Sequence, residues 1–390
     1  MKARRGIAVL SVCALTVLLL GWRPQPKQEK KSADQQKSAD LDRVRRAAER
    51  GDSKAQFDLG QMFYEGDVLP QDYSEAAKWY RKAADEGNAK AQTSLGSMYA
   101  NGQGVTQDYA EAVRWRRKAA DQGDADAQFD LGSMYAYGRG VAKDGVQAAR
   151  WIRKAAEQGD AQAQVDLGEM YCKGEGVARD HVQAVNWLSK AVDQGSESAV
   201  LALMNMYNEG EGVPVDHLEA VRWLRIGAGK GNPFLQWNLG MILANGYYDL
   251  RQDEREAVYW FRKAADQGHS GAQEELGDRY YEGRGVTQNY SEAALWYRRA
   301  ADQGDADAQF DLGRMYAKGK GVPLDYVEAH MWLNLAAAEA MGQPQNERAK
   351  ERDLVAQKMT AQQIAEAQRR AWEWNPKGWG WKFPYRDRPR

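Results

Sequence analysis

The sequence is short of the residues from which most catalytic and metal centres are built. Cysteine occurs twice, at Cys13 and Cys172. Cys13 lies in an N-terminal apolar run, so the main body holds one thiol and no intramolecular disulfide framework. Histidine occurs four times, at His181, His217, His269 and His330. None belongs to an HxxxH or Cys/His group with metal-ligand spacing. The four read as surface histidines of loops and helices, and no metal or other cofactor is expected. Ser-x-x-Lys, Gly-x-Ser-x-Gly, HExxH and a convergent Asp/Glu pair are not evident either, which leaves no nucleophile or general base to name. An excess of one charge is missing as well. Lys and Arg number 54 against 55 Asp and Glu, a net charge of −1, whereas phosphate binding needs clustered positive charge. Nucleic acid is therefore not expected as a partner.

Long apolar runs are confined to one place. Lys2, Arg4 and Arg5 precede an uncharged stretch from Gly6 to Trp22 whose apolar centre is Ile7 to Leu20. A basic segment followed by an apolar one reads as an export signal, and the run is also about the minimum length of a membrane span. Residues 1–22 are expected to be a signal peptide or a membrane anchor. The cleavage end is poor, because a cut after Gly21 places Leu19 where a small residue is preferred. Cys13 is no lipid-attachment site, since Val12 is not small and the apolar run continues past it. Arg4-Arg5 is a weak twin-arginine candidate and reads better as an ordinary basic segment. Arg23, Lys27, Lys30 and Lys31 make the positive charge two-sided. Export to the periplasm, or anchoring with the body facing it, remains the favoured reading. Residues 23–40 are polar and aperiodic, a disordered linker.

Glycine (38) and tryptophan (14) are abundant, and both recur on a fixed period. Tryptophan stands at Trp79, Trp115, Trp151, Trp187, Trp223, Trp260, Trp296 and Trp332. Leucine runs in parallel at Leu59, Leu95, Leu131, Leu167, Leu203, Leu239, Leu276 and Leu312. The step is 36 residues, with a single 37. Two landmarks with one period define a repeat array. In the third unit Ala127, Leu131, Met134 and Tyr135 share one face of a helix, called A here. Gly138 and Gly140 end it. A second helix, B, opens at Asp144, and Glu or Gln follows the cap by three positions in all eight units, as in Asp72/Glu75 and Asp108/Glu111. That spacing predicts a capping box. Helix B buries Ala112, Trp115, Ala119 and Ala120 in the second unit and ends at Gly123. The periodic tryptophans are expected in the core. The Gly-x-Gly-Val segments follow a helix, not a strand, and lack phosphate-loop spacing, so they read as turns. Neither helix can bury its face alone, and stacking is obligatory.

The pattern Ala-x-Ala-Gln-x-x-Leu-Gly-x-Met-Tyr, then Gly-x-Gly-Val, then Glu-Ala-x-x-Trp-x-Arg-Lys-Ala-Ala is nearly complete from Ala89 to Ala120. It resembles the Sel-one-like repeat (SLR) family, a relative of the tetratricopeptide repeat. The resemblance covers about Leu41 to Trp374. It implies an all-α, right-handed α-α superhelical solenoid of about eight helix-pair repeats, with terminal capping helices. The expected organisation is an N-terminal capping helix over 41–52, eight repeats over 53–342, C-terminal capping helices over 343–374 and an aromatic basic tail over 375–390. The tail holds Trp379, Trp381, Phe383 and Tyr385, which dock on a membrane surface or partner unless the tail folds back or hangs loose.

The family resemblance implies a non-enzymatic adaptor of the bacterial envelope that holds a peptide or protein partner in the concave groove lined by the A helices. A cysteine-rich branch of the family acts on β-lactams, and this chain lacks its paired cysteines. The competing readings are an enzyme or binder acting on β-lactams or cell-wall material, and an anchored regulator facing the cytoplasm. Helix-A positions that vary between units must face outward. They give Phe129, Ser133 and Tyr137 in the third unit, Asn205 and Asn208 in the fifth, and Trp237, Met241 and Asn245 in the sixth. Asparagine can hold a peptide backbone and the aromatic and Met side chains can anchor apolar groups. The plainer alternative for Phe129 and Trp237 is packing against the next repeat. The fifth and sixth units also break their own pattern, with Met204 in place of Gly, with Gly227, Gly229 and Gly231 crowded together, and with Asn245-Gly246-Tyr247-Tyr248-Asp249 in place of the usual turn. They read as a soft joint or as simple repeat decay.

Overall fold

The computed structural model describes residues 39–247, 250–339 and 343–374. The N-terminal apolar segment, most of the linker, Tyr248, Asp249 and the tail over 375–390 lie outside the described residues. Every regular element among those described is a helix, and none is long and apolar enough to cross a membrane.

A first helix, α1, spans residues 39–49. Eight A helices follow: α2 (Ser53–Glu65), α4 (Ala89–Asn101), α6 (Ala125–Tyr137), α8 (Ala161–Lys173), α10 (Glu197–Glu209), α12 (Pro233–Asn245), α14 (Ser270–Glu282) and α16 (Ala306–Lys318). They alternate with eight B helices: α3 (Tyr73–Asp85), α5 (Tyr109–Asp121), α7 (Gly145–Glu157), α9 (His181–Asp193), α11 (His217–Gly229), α13 (Glu254–Asp266), α15 (Tyr290–Ala301) and α17 (Tyr326–Glu339). Two further helices, α18 (Gln343–Ala356) and α19 (Ala361–Glu373), close the array. The result is the all-α repeat solenoid that the period implied. The chain forms two compact units that divide between Trp151 and Ile152, inside α7.

Helices of 13 residues are marginal alone in water, so packing must hold them. In the first of these compact units Trp115 shares one buried cluster with Ala76, Ala77, Tyr80, Ala83 and Ala84 of α3 and with Leu95 and Met98 of α4. The alanines let the helices approach closely, and the indole fills what they leave open. Trp151 does the same against Ala112, Ala119, Leu131 and Met134. The core reading holds for Trp115, Trp151, Trp187, Trp296 and Trp332, which are buried. Trp79, Trp223 and Trp260 are only half-buried.

Two glycine positions have packing causes. The helix-A glycine lies under the residue that follows the tryptophan. A Cβ at Gly60 would meet the Tyr80 ring at 2.7 Å, and one at Gly240 would meet the Phe261 ring at 2.6 Å. The second glycine of the turn faces the start of the preceding helix B. At Gly104 a Cβ would stand 2.1 Å from the Tyr73 carbonyl oxygen. That glycine is a close approach between repeats as well as a turn.

The capping-box expectation needs correcting. Each cap does accept from the backbone three positions on, as in Glu75 N to Asp72 at 3.0 Å and Gln147 N to Asp144 at 3.0 Å. The return bond of a box needs the cap's own N–H, and that group is already used. Asp72 N donates to Phe63 O at 2.9 Å, Asp108 N to Tyr99 O at 2.9 Å and Asp144 N to Tyr135 O at 3.0 Å. The displaced glutamates pair outward instead, Glu75 with Lys78 and Glu111 with Arg114. Both halves of a box are present at Thr360 and Gln363.

Of the glycines crowded in the fifth repeat, Gly227 has a packing cause. Helix α11 runs without interruption through Gly227. A Cβ there would meet Leu235 and Val200, each at 2.7 Å. Those two positions carry Ala and Gln in the third repeat. Larger neighbours and a smaller residue compensate one another. His330, read from sequence as a surface residue, is buried in α17, and its pKa is lowered by burial and by Arg352.

Candidate partner-binding surface

Helix A presents three kinds of position. One buries Ala, Gln, Leu, Gly and Met, as at Ala127, Gln128, Leu131, Gly132 and Met134. The repeat tyrosine is largely half-buried, as at Tyr99 and Tyr135, so it is not a full core position as read from sequence. The remaining positions open outward, and they carry the candidate residues.

In the first compact unit Phe129, Ser133 and Tyr137 recur every four residues along one face of α6. Phe129 and Ser133 are half-buried, and Tyr137 is 72% exposed. Ser133 and Tyr137 are brought together on an open cleft of about 340 Å³, lined also by Asn101, Tyr109, Arg116, Asp130 and Arg139. Phe129 is not part of that lining. The Arg139 guanidinium lies 5.4 Å over the Tyr137 ring.

In the second unit Asn205 on α10 is exposed, and Asn208 is half-buried. Asn208 Oδ1 lies 3.3 Å from His217 Nδ1, a bond that ties it to the next helix. On α12, Met241 is half-buried and Asn245 exposed. Asn245 Nδ2 donates to the Met241 carbonyl at 2.9 Å. Trp237 stacks on His269, the cap of the following A helix, at 5.2 Å between ring centres, with Phe234 at 6.0 Å. One face of its ring is thus covered by the cap of α14. His269 caps α14 through its Nδ1, which accepts from Ala272 N at 3.2 Å, and burial lowers its pKa. A neutral imidazole suits that acceptor role.

Three features escaped the sequence reading. The first is a ladder of buried glutamines. Gln92 donates to Ala84 O at 2.9 Å and accepts from Gln122 at 2.8 Å. In the second unit Gln236 donates to Ala228 O at 3.0 Å and accepts from Gln267 at 2.8 Å. Gln273 and Gln303 repeat the pair at 2.8 Å. The signal was a polar residue at a fixed place within the apolar period. In the fifth repeat both partners change together: Val200 replaces the first and Lys230 the second, and Lys230 turns to the Asp193 carbonyl at 3.0 Å.

The second is Arg116, which occupies the position after the tryptophan. The other repeats place Tyr80, Ile152, Leu188, Leu224, Phe261, Tyr297 and Leu333 there. Its side chain is 12% exposed and pairs with Asp130 at 2.9 Å. Burial lowers its pKa and Asp130 raises it; the guanidinium stays charged.

The third corrects the expectation that no acidic groups converge. Glu274, Glu275 and Asp278 on α14 bring carboxylate oxygens within 4.8 Å of one another. Tyr297 donates to Asp278 at 2.6 Å. Arg279 stands where the other repeats have Met or Ile and pairs with Glu275 and with Glu254. Burial first, then Asp278 and Glu275, push Glu274 up to about 9. Burial and then Asp278 push Asp311 of α16 up to about 6. Arg279 already supplies a positive charge to this group.

The Sel1 repeat matches eight times, over residues 53–88, 89–124, 125–160, 161–196, 199–232, 233–269, 270–305 and 306–340. A crystal structure of a Sel1 repeat protein from Oxalobacter formigenes is 35% identical over 80% of this chain and 89% of its own, with a TM-score of 0.56. A protective antigen present in uropathogenic Escherichia coli strains, displaying an SLR fold, is 33% identical over 86% of each chain, with a TM-score of 0.49. No curated protein matches the sequence. Sel1 repeat proteins are generally protein-interaction scaffolds, typically without enzymatic activity. With eight matched repeats over residues 53–340, the chain belongs to the Sel1 repeat family.

Proposed function

We propose that the chain is a non-enzymatic scaffold of the bacterial cell envelope, exported or anchored by residues 1–22, that holds a protein segment along the outward positions of its A helices. The observation that carries this reading is the contrast within helix A. The core positions repeat almost unchanged, while the outward positions run from Ser133 and Tyr137 to Asn205, Met241 and Asn245. A frame that is constant inside and varied outside can present a distinct surface at each repeat. Asn205 and Asn245 are exposed amides, able to donate to and accept from a peptide backbone. The basic-apolar N-terminal segment supports the envelope placement.

The test is crosslinking in the native host, followed by separation of envelope and cytoplasmic fractions and capture of the tagged full chain. The expected outcome is a partner captured from the envelope fraction. Asn205→Ala combined with Asn245→Ala is expected to reduce capture while helicity and melting temperature stay nearly unchanged, because neither side chain is in the core. Capture undiminished by the double substitution removes these two residues from the interface. Capture confined to the cytoplasmic fraction overturns the envelope placement.

A further inference from the structure

The cleft in the first unit is built unlike its counterparts. The residue after the tryptophan packs over the helix-A glycine, and seven repeats fill that place with an apolar or tyrosine side chain. The second repeat places Arg116 there, above Gly96 at 2.9 Å from a would-be Cβ. A largely buried cation in place of a hydrophobe stabilises poorly unless it is well paired, and Arg116 is underused. Its Nη2 reaches Asp130 at 2.9 Å and Ser97 at 3.3 Å. Its Nη1 faces the Met134 sulfur at 3.3 Å, a weak acceptor. Its Nε is bonded to nothing.

Asp130 apart, the other polar groups on the cleft can donate. Arg139 has no acidic partner among the described residues and rests over Tyr137. The Tyr109 hydroxyl accepts from Gln107 at 3.0 Å, so its own proton is free to donate. Ser133 and Asn101 add a hydroxyl and an amide. Two cations face one carboxylate, and that carboxylate is already held by Arg116. The cleft therefore carries one positive charge that no carboxylate on it balances.

We propose that this cleft receives a carboxylate of a partner protein, either an acidic side chain or a chain terminus, between Arg139 and Arg116. The inference rests on the scaffold reading and deepens it by naming partner chemistry. A planar carboxylate matches the paired N–H groups of a guanidinium, and the half-enclosed site screens the pair less than open water does. A nucleic acid is disfavoured, since the chain's net charge of −1 provides no field for a phosphate polymer.

The experiment follows arginine Nε–Hε resonances of the full chain labelled with ¹⁵N-arginine. The probes are acetate, N-acetylleucine as a terminal carboxylate, and N-acetylglutamic acid α-amide as a side-chain carboxylate. Acetamide and N-acetylleucinamide are the neutral controls. The carboxylates are expected to shift Arg116 and Arg139 saturably, at least tenfold more tightly than the amides, while exposed Arg255 does not respond. Tighter binding of N-acetylleucine identifies a chain terminus, and tighter binding of the glutamate probe an acidic side chain. Arg139→Gln should weaken acetate binding about tenfold. Arg116→Leu restores a residue native at three equivalent positions and should remove the response of Arg139. Equal response to acids and amides overturns the proposal, as does an Arg139 response unchanged in Arg116→Leu, or tighter binding of an oligothymidylate than of any carboxylate. If the carboxylates leave both arginines unmoved while Asn205 and Asn245 still govern capture, the cleft assignment falls and the scaffold reading stands.

Discussion

At the residue scale, this array shows what a repeated position can hide. The glutamine of helix A is as regular as the leucine, yet it is polar and buried. At Gln92, Gln164, Gln236 and Gln273 both ends of the amide are used: the nitrogen on a preceding carbonyl and the oxygen on a glutamine 30 or 31 residues later; at Gln56 and Gln309 the nitrogen is bonded and the oxygen is not. A buried amide left unmatched would cost about 1–3 kcal/mol. The joint change to Val200 and Lys230 fits that constraint. Leucine, tryptophan and glycine were legible from their period alone. The glutamine role was not, because its partner lies in the next repeat and a period does not say which side chains meet. The acidic group of α14 was illegible for the same reason: Glu274, Glu275 and Asp278 converge through helical spacing, and Arg279 neutralises part of them from a core position. Glu274 gives a pH prediction with a definite sign. Its folded pKa, about 9, lies above the ordinary value of 4.5. The folded state thus binds its proton more tightly than the unfolded chain. The stability this provides is fully present below about 4.5 and is lost as pH rises through 9. Asp311, at about 6, adds a loss of the same sign at lower pH. Thermal melts should show the second unit less stable at pH 9 than at pH 5, and Glu274→Gln should flatten that slope. A slope that Glu274→Gln leaves unchanged would separate the carboxylate from the effect.

At the element scale, sequence spacing gave the helices and their caps, and it overstated one motif. An acidic cap with Glu three residues on satisfies the capping-box pattern, but the pattern does not register that the cap's N–H already closes the turn from helix A. A tertiary bond outcompetes a local one, and the glutamate becomes a surface partner for the next turn. The two residues therefore separate experimentally. Asp108→Ala removes the acceptor for Ala110 N and Glu111 N, at 2.9 and 3.0 Å, and should cost about 1 kcal/mol. Glu111→Ala removes an exposed pair with Arg114 and a favourable charge near a helix start, and should cost only a few tenths of a kcal/mol. Urea denaturation of the two variants checks the ratio. Equal losses would mean that the box closes in solution after all.

At the scale of the whole molecule, period and composition disclosed an all-α repeat array, because each landmark recurs eight times and chance cannot imitate that. They disclosed less of the binding surface. Tyr137 and Ser133 meet on a cleft, while Trp237, an outward position by the same rule, stacks on His269, the cap of the next A helix. The rule sorts positions by variation, and variation marks both a partner site and a repeat-specific contact. Energetics at this scale should follow the same one-dimensional logic, and Trp115 tests it. It shares a buried cluster with alanines of α3 and with Leu95 and Met98 of α4, with Arg81 5.7 Å over its ring. Trp115→Ala empties an aromatic core site, at about 3–5 kcal/mol. In a nearest-neighbour array the loss stays with the repeats that share the site. Amide hydrogen exchange should therefore show protection falling across α3, α4 and α5 while α14 and α16 keep theirs. Protection unchanged in α3 to α5 would contradict the core role of Trp115, and an equal loss in α14 and α16 would mean that the chain opens as a single cooperative body rather than repeat by repeat.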